Sequence, residues 1–235
     1  VVVFVHGYRF DLKEGCKRSA TLQRALGPAG RMVLFSWPSD DNPADYTADR
    51  ADMEWSVPDL ARLLERLASR APGRPLHLVA HSMGARGVVD ALLRLCCARG
   101  GGGEPVVDQL VLLAPDLDQA TFLDLLPRLR PLAQRITLYA SDHDTLLTLS
   151  RILNGHPRLG EAGAHLTVAA GMQTVDVSPL GRHHVTGHEY YRYHPRVTRD
   201  LVELLATGRG AAERSLPEVA AGERGRYWVL REAPD

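Results

Sequence analysis

The chain has 235 residues, 45% of them hydrophobic and 24% charged, which suits one large domain or a domain with a cap and excludes a disordered chain. Its 28 Lys and Arg residues balance 28 Asp and Glu, so nothing pulls it toward nucleic acid or an acidic membrane surface. Three cysteines (Cys16, Cys96 and Cys97) are too few for a disulfide framework, Cys96 and Cys97 are expected as small core or boundary residues, and no apolar run is long enough to suggest an integral membrane segment.

The first residue is Val1, and residues 1–5 already form a β-branched and aromatic run of the kind that is covered on both faces of a sheet. The sequence therefore predicts that N-terminal strands, and any signal or anchor, lie outside it, with a cytoplasmic setting as the default. After His6-Gly7-Tyr8 a helix is expected over about 13–26, stopped by Gly27-Pro28, and then a strand over 31–37. Residues 39–45 read as a loop, followed by one long helix, or a short one plus a long one, up to residue 70 with Pro58 in the first turn of the longer part.

A third strand is expected over 75–80, a helix over 83–98, a flexible loop over 100–103 and a fourth strand over 106–114. A short helix at 122–126 should end at Pro127, a fifth strand should cover 135–140, and a helix 145–153. One or two weak strands fall within 166–177, and a last long helix over 195–206. Residues 1–210 then make up one domain, with 36–56 a candidate cap or pocket segment and 211–235 a tail whose Tyr227-Trp228-Val229-Leu230 docks as an extended piece. Alternating strands and helices imply a mostly parallel sheet with helices on both faces, which puts function at the carboxyl ends of the strands.

One of those ends reads Ala80-His81-Ser82-Met83-Gly84, a G-x-S-x-G nucleophile elbow with Ala in the first place, between a buried strand and a helix. The turn is so tight that only small residues fit two positions either side of the serine, and it lifts the hydroxyl over the helix N-terminus. Ser82 is thus the candidate nucleophile of an α/β-hydrolase fold. Acyl transfer needs two amide donors for the developing oxyanion, and the Met83 and Tyr8 amides are assigned to it, with Gly7 allowing close approach.

In this fold the acid and then the histidine follow the serine along the chain. Asp144 is favoured over Asp142 and Asp116 as the acid, and His188 over His183, His184 and His194 as the base, because Gly187 gives its loop freedom to reach over the sheet. His6, Gly7, Trp37, Tyr46 and His81 are expected at the substrate pocket, with Tyr8 beside them. Neither the histidine spacing nor any Gly-rich phosphate motif supports a metal or nucleotide cofactor, so none is expected.

The blocks Val3-Phe4-Val5-His6-Gly7-Tyr8, Leu34-Phe35-Ser36-Trp37-Pro38, His77-Leu78-Val79-Ala80-His81-Ser82-Met83-Gly84, Leu113-Ala114-Pro115-Asp116-Leu117-Asp118 and Gly187-His188-Glu189-Tyr190-Tyr191, in that order, resemble the bacterial α/β-hydrolase family DUF900 of the esterase/lipase superfamily. The resemblance spans nearly the whole chain and implies an α/β-hydrolase fold with Ser82 and His188 at matching positions. Asp144 matches the aspartate that follows the strand Thr137-Leu138-Tyr139-Ala140. Arg9-Phe10 stand where the family often carries Asn-Asn. A serine hydrolase acting on a small carboxylic ester is the expected function. An acyltransferase using the same triad, or an inactive binding scaffold, are the alternatives.

Overall fold

The computed structural model describes residues 1–39, 45–70, 73–100, 104–182 and 184–232. The apolar runs become β1 (Val2–Val5), β2 (Met32–Phe35), β3 (His77–His81), β4 (Val107–Leu113), β5 (Ala133–Ala140) and β6 (Gln173–Asp176). Between and after them lie α1 (Leu12–Leu26), α2 (Tyr46–Arg70), α3 (Gly84–Ala98), α4 (Gln119–Leu129), α5 (Thr145–Asn154), α6 (Tyr190–Tyr193) and α7 (Pro195–Thr207). The chain then adds β7 (Glu218–Ala220) and β8 (Arg226–Val229). Among the described residues the strands form one sheet in the order β2-β1-β3-β4-β5-β6-β8-β7, parallel throughout except for the β7–β8 pair.

Strand residues alternate between two cores because successive side chains point to opposite faces. Val3, Val5, Leu78, Leu110 and Leu112 pack with Met53, Leu60 and Leu64 of α2, Val88 and Leu92 of α3, and Phe122 of α4. Val2, Phe4, Val79, Val111 and Tyr139 pack on the other face with Leu22 and Leu26 of α1 and Val197, Leu201 and Leu204 of α7. Each such side chain, fully buried, contributes about 1.5–3 kcal/mol. The sheet is therefore held from both faces, leaving its strand ends to carry the loops.

Several local expectations are corrected. Pro58 lies inside one 25-residue helix and not in a first turn. Its missing amide cannot bond the Glu54 carbonyl, and Glu54 is on the exposed side of the helix, where that loss is least costly. Pro127 likewise sits inside α4, above exposed Leu123, and does not end the helix. Within 166–177 the expectation of one or two strands is met by one, β6, which follows a turn at Gly171, whose φ is 90°. Cys97 and Cys16 are exposed and Cys96 half-buried. Most of the loops expected at 39–45 and 100–103 lies outside the described residues.

The segment after α7 is tied down by buried Arg214, whose Nε lies 2.8 Å from Asp200 Oδ1, while Tyr139 donates its hydroxyl to Asp200 Oδ2 at 2.5 Å. From there β8 pairs parallel with β6, setting Val175 opposite Trp228 and Asp176 opposite Val229.

Candidate active site

Three strand ends and one late loop meet above the sheet. At the end of β3 the chain passes through Ser82 with φ 53°, a left-handed conformation that costs a non-glycine residue about 1–2 kcal/mol. The neighbouring sheet compensates. The Ser82 amide donates to the Leu113 carbonyl at 3.0 Å, and its carbonyl accepts from the amides of Ala85 and Asp116, each at 3.1 Å. A side chain at Gly84 would collide with the His6 carbonyl oxygen, and a Cβ at Gly7 would stand 2.8 Å from Ser82 Cβ. The elbow and the His6-Gly7-Tyr8 turn thus touch backbone to backbone, and that contact is what the small residues permit. Among the described residues the Met83 amide has no acceptor, and Met83 immediately precedes the 15-residue helix α3.

Asp144 follows β5 and divides its carboxylate between two tasks. Oδ1 caps α5, accepting from the amides of Leu146 and Leu147 at 3.1 and 3.0 Å. Oδ2 stands 2.6 Å from His188 Nδ1. Asp144 is 1% exposed and its orientation is fixed by the helix it caps. The His188 loop docks on the same helix start, where the Thr145 amide and hydroxyl both donate to the Thr186 carbonyl, at 2.9 and 3.0 Å. Gly187, at φ 66°, abuts the His143 carbonyl too closely for any side chain. Burial works to lower the His188 pKa, but the adjacent Asp144 carboxylate outweighs it and the net direction is upward. With Nδ1–H bonded to the carboxylate, Nε2 is the lone-pair nitrogen of the neutral ring.

The remaining candidates separate on geometry. Asp142 is exposed and Asp116 is engaged elsewhere. Asp116 Oδ1 takes hydrogen bonds from Arg158 Nε at 2.7 Å and Ser150 Oγ at 2.6 Å, and Oδ2 takes one from the Tyr46 hydroxyl at 2.7 Å. His194 caps α7, accepting from the Arg196 amide at 3.2 Å, and its Nε2 lies 3.0 Å from Glu232. His184 stacks on Tyr193, with ring centroids 4.3 Å apart. His183 lies outside the described residues.

Ser82 and His188 line one cleft of about 350 Å³, together with Tyr8, Phe10, Tyr46, Asp116, Arg18 and the leucines of α5. Tyr8 and Tyr46 meet edge to face there, centroids 5.5 Å apart. Trp37, expected at the pocket, does not reach it. It is buried against His6, stacked at 5.2 Å, and its indole N–H donates to the His6 carbonyl at 2.9 Å. His6 and His81 stand behind the wall. His81 Nε2 donates to the His188 carbonyl at 3.2 Å, and its ring packs between Phe10, Tyr191 and His188. Burial first, and repulsion by a His188 cation second, hold His81 well below the ordinary imidazole pKa. Of the segment 36–56, Tyr46 reaches the cleft, Met53 is core, Trp55 is exposed and 40–44 lie outside the described residues.

Sequence reasoning missed the Arg158–Asp116–Tyr46–Ser150 network and the contribution of α5. The first joins residues up to 104 positions apart and leaves no local signature. The second had one: Leu146, Leu147, Leu149, Ile152 and Leu153 make five of the ten residues of α5 apolar, although only Leu147 among them is buried.

A mostly parallel sheet with helices on both faces and a strained serine between strand and helix define an α/β hydrolase. The chain belongs to the family described as "Alpha/beta hydrolase of unknown function (DUF900)", which it matches over residues 1–207. A relative, the uncharacterized protein alr1448 of Nostoc sp., is 31% identical, the match covering 37% of this chain and only 28% of that protein. MenH from S. aureus is 12% identical with a TM-score of 0.50, over 88% of this chain and 93% of that one. A monoacylglycerol lipase from Paleococcus ferrophilus is 14% identical with a TM-score of 0.51, over 88% and 94% of the two chains. At these identities the solved structures share the fold alone. Among the described residues no helix is long and apolar enough to cross a membrane, and no three His, Cys, Asp or Glu side chains converge as a metal site would need.

Proposed function

We propose that this protein hydrolyses small carboxylic esters through an acyl-enzyme on Ser82, with His188 as general base and Asp144 as the acid that orients it. The observation that carries the reading is the 2.6 Å contact of His188 Nδ1 with Asp144, on an imidazole that lines the same cleft as Ser82. Ser82 Oγ attacks the ester carbonyl carbon and His188 Nε2 takes the hydroxyl proton. The oxyanion is met by the amides of Met83 and Tyr8, a role supported by the helix start at Met83 and the backbone contact between Gly7 and Ser82. Collapse expels the alcohol, which leaves with the proton from Nε2. Water then enters, gives a proton to His188 Nε2 as its oxygen bonds to the acyl carbon, and collapse breaks the bond to Ser82 Oγ, which takes that proton back as the acid leaves. An acyltransferase would differ only in admitting an alcohol at this last step.

The test is turnover of p-nitrophenyl acetate, with free acid and p-nitrophenol both quantified. Ser82→Ala should lower kcat about 10⁴-fold or more, with the circular dichroism spectrum and melting temperature retained. Undiminished turnover in that variant would remove Ser82 from the mechanism.

A further inference from the structure

Four of the eight large hydrophobic side chains exposed among the described residues sit on α5: Leu146, Leu149, Ile152 and Leu153, from 41% to 67% exposed. Scattered exposed leucines are ordinary, but such a concentration on one ten-residue helix is not. Leu146, Leu149 and Leu153, at i, i+3 and i+7, form one stripe, and all three line the cleft that holds Ser82. The rings of Tyr8, Phe10 and Tyr46 line the same cleft.

Most ionic groups of the cleft are already matched, and Arg9, which also lines it, is exposed to solvent. Arg18 pairs with Glu189 at 2.9 Å and Glu14 at 3.6 Å, and its guanidinium lies 4.9 Å over the Phe10 ring. Asp116 is held by Arg158. Matched charges and apolar walls favour a neutral, hydrocarbon-bearing ligand over an anionic one.

We infer that the leucine stripe of α5 is the rail for the acyl chain of the substrate, a straight chain of about eight carbons. The length follows from the helix. Leu146 to Leu153 spans about 10 Å at 1.5 Å per residue, which a zigzag of C–C bonds near 1.5 Å covers in about eight methylenes. The inference rests on the reading of Ser82 as the nucleophile. The helix that presents this rail is capped by Asp144, so one element fixes both the acid and the chain.

Two measurements test it. The first is kcat/KM for p-nitrophenyl esters from acetate to dodecanoate. It should rise roughly two- to fourfold per added methylene up to about C8 and then level, a methylene transferred from water being worth about fourfold at most. In Leu149→Ser/Leu153→Ser the C8-to-C2 ratio should fall at least tenfold, whereas Leu12→Ser, an exposed leucine outside the cleft, should keep the wild-type ratio. The second is calorimetric binding of 1-butanol to 1-decanol by the Ser82→Ala protein, which needs no catalysis. Affinity should climb with length, and the climb should vanish when Leu149→Ser/Leu153→Ser is added.

A flat ester series from an active enzyme, or alkanol binding indifferent to length, overturns the inference and leaves the esterase intact. Length-dependent alkanol binding with no ester turned over overturns the esterase and keeps the rail. Sedimentation with phosphatidylcholine vesicles, or a dimer, that only Leu149→Ser/Leu153→Ser abolishes would assign the stripe to a lipid surface or a second copy and overturn the rail.

Discussion

Two adjacent strand ends share one backbone anomaly and diverge in what their side chains meet. Ser82 after β3 has φ 53° and Ala114 after β4 has φ 45°, both in the region that L residues avoid. Both are buried and both have bonded amides. The Ala114 amide donates to the Tyr190 hydroxyl oxygen at 2.7 Å, and the Ser82 amide to the Leu113 carbonyl at 3.0 Å. After Ser82 the chain enters α3, and the side chain lines the cleft shared with His188. After Ala114 it runs through Pro115 to Asp116, whose carboxylate is spent on Arg158, Ser150 and Tyr46. Strain by itself therefore marks how a parallel strand ends and not where chemistry occurs. The chemistry comes from what meets the side chain. The second turn also supports the first, since the Asp116 amide donates to the Ser82 carbonyl.

This contrast predicts two kinds of damage. Asp144→Asn should lower kcat/KM about 10³- to 10⁴-fold, by losing the charge that holds the His188 tautomer, with a modest change in melting temperature. Asp116→Asn should do the reverse. Leaving buried Arg158 without its counter-charge costs about 3–5 kcal/mol of stability, read by urea unfolding, while the rate at a permissive temperature stays within tenfold of wild type. Equal losses of rate in the two variants would break the distinction between the carboxylates.

The raised His188 pKa sets a smaller effect of pH. The base must be neutral, so kcat/KM should fall as pH drops through a value above the ordinary 6.5 or so of histidine. Asp144→Asn should move that limb to lower pH. Stability runs the opposite way. A raised folded pKa contributes stability that is fully present below the unfolded value and is lost as pH rises through the folded one. Thermal melts across the same range should therefore lose this contribution where activity appears. The smallest effect belongs to Ala114→Gly. Relief of the left-handed strain and the entropy of glycine oppose each other, so stability should shift by less than about 1 kcal/mol.

The order of strands and helices was legible because buried parallel strands announce themselves as β-branched runs, and Ser82 because a cramped turn admits few residue types. Asp144 and His188 were legible as positions after β5 and before α7, though only the fold brings them together across 44 residues. Trp37 was misplaced because an aromatic beside a strand end looks the same whether it faces the cleft or, as it does, stacks on His6. Pro58 and Pro127 misled because an exposed carbonyl four residues back excuses a proline inside a helix. Long-range polar networks such as Arg158–Asp116 have no period and no spacing to read.

The most direct measurement is covalent. The protein is treated with a fluorophosphonate, digested and mapped by mass spectrometry, alongside Asp144→Asn. The account predicts one phosphonyl adduct on the peptide bearing Ser82, forming far more slowly in the variant. An adduct on another serine, or none on folded protein, would contradict it.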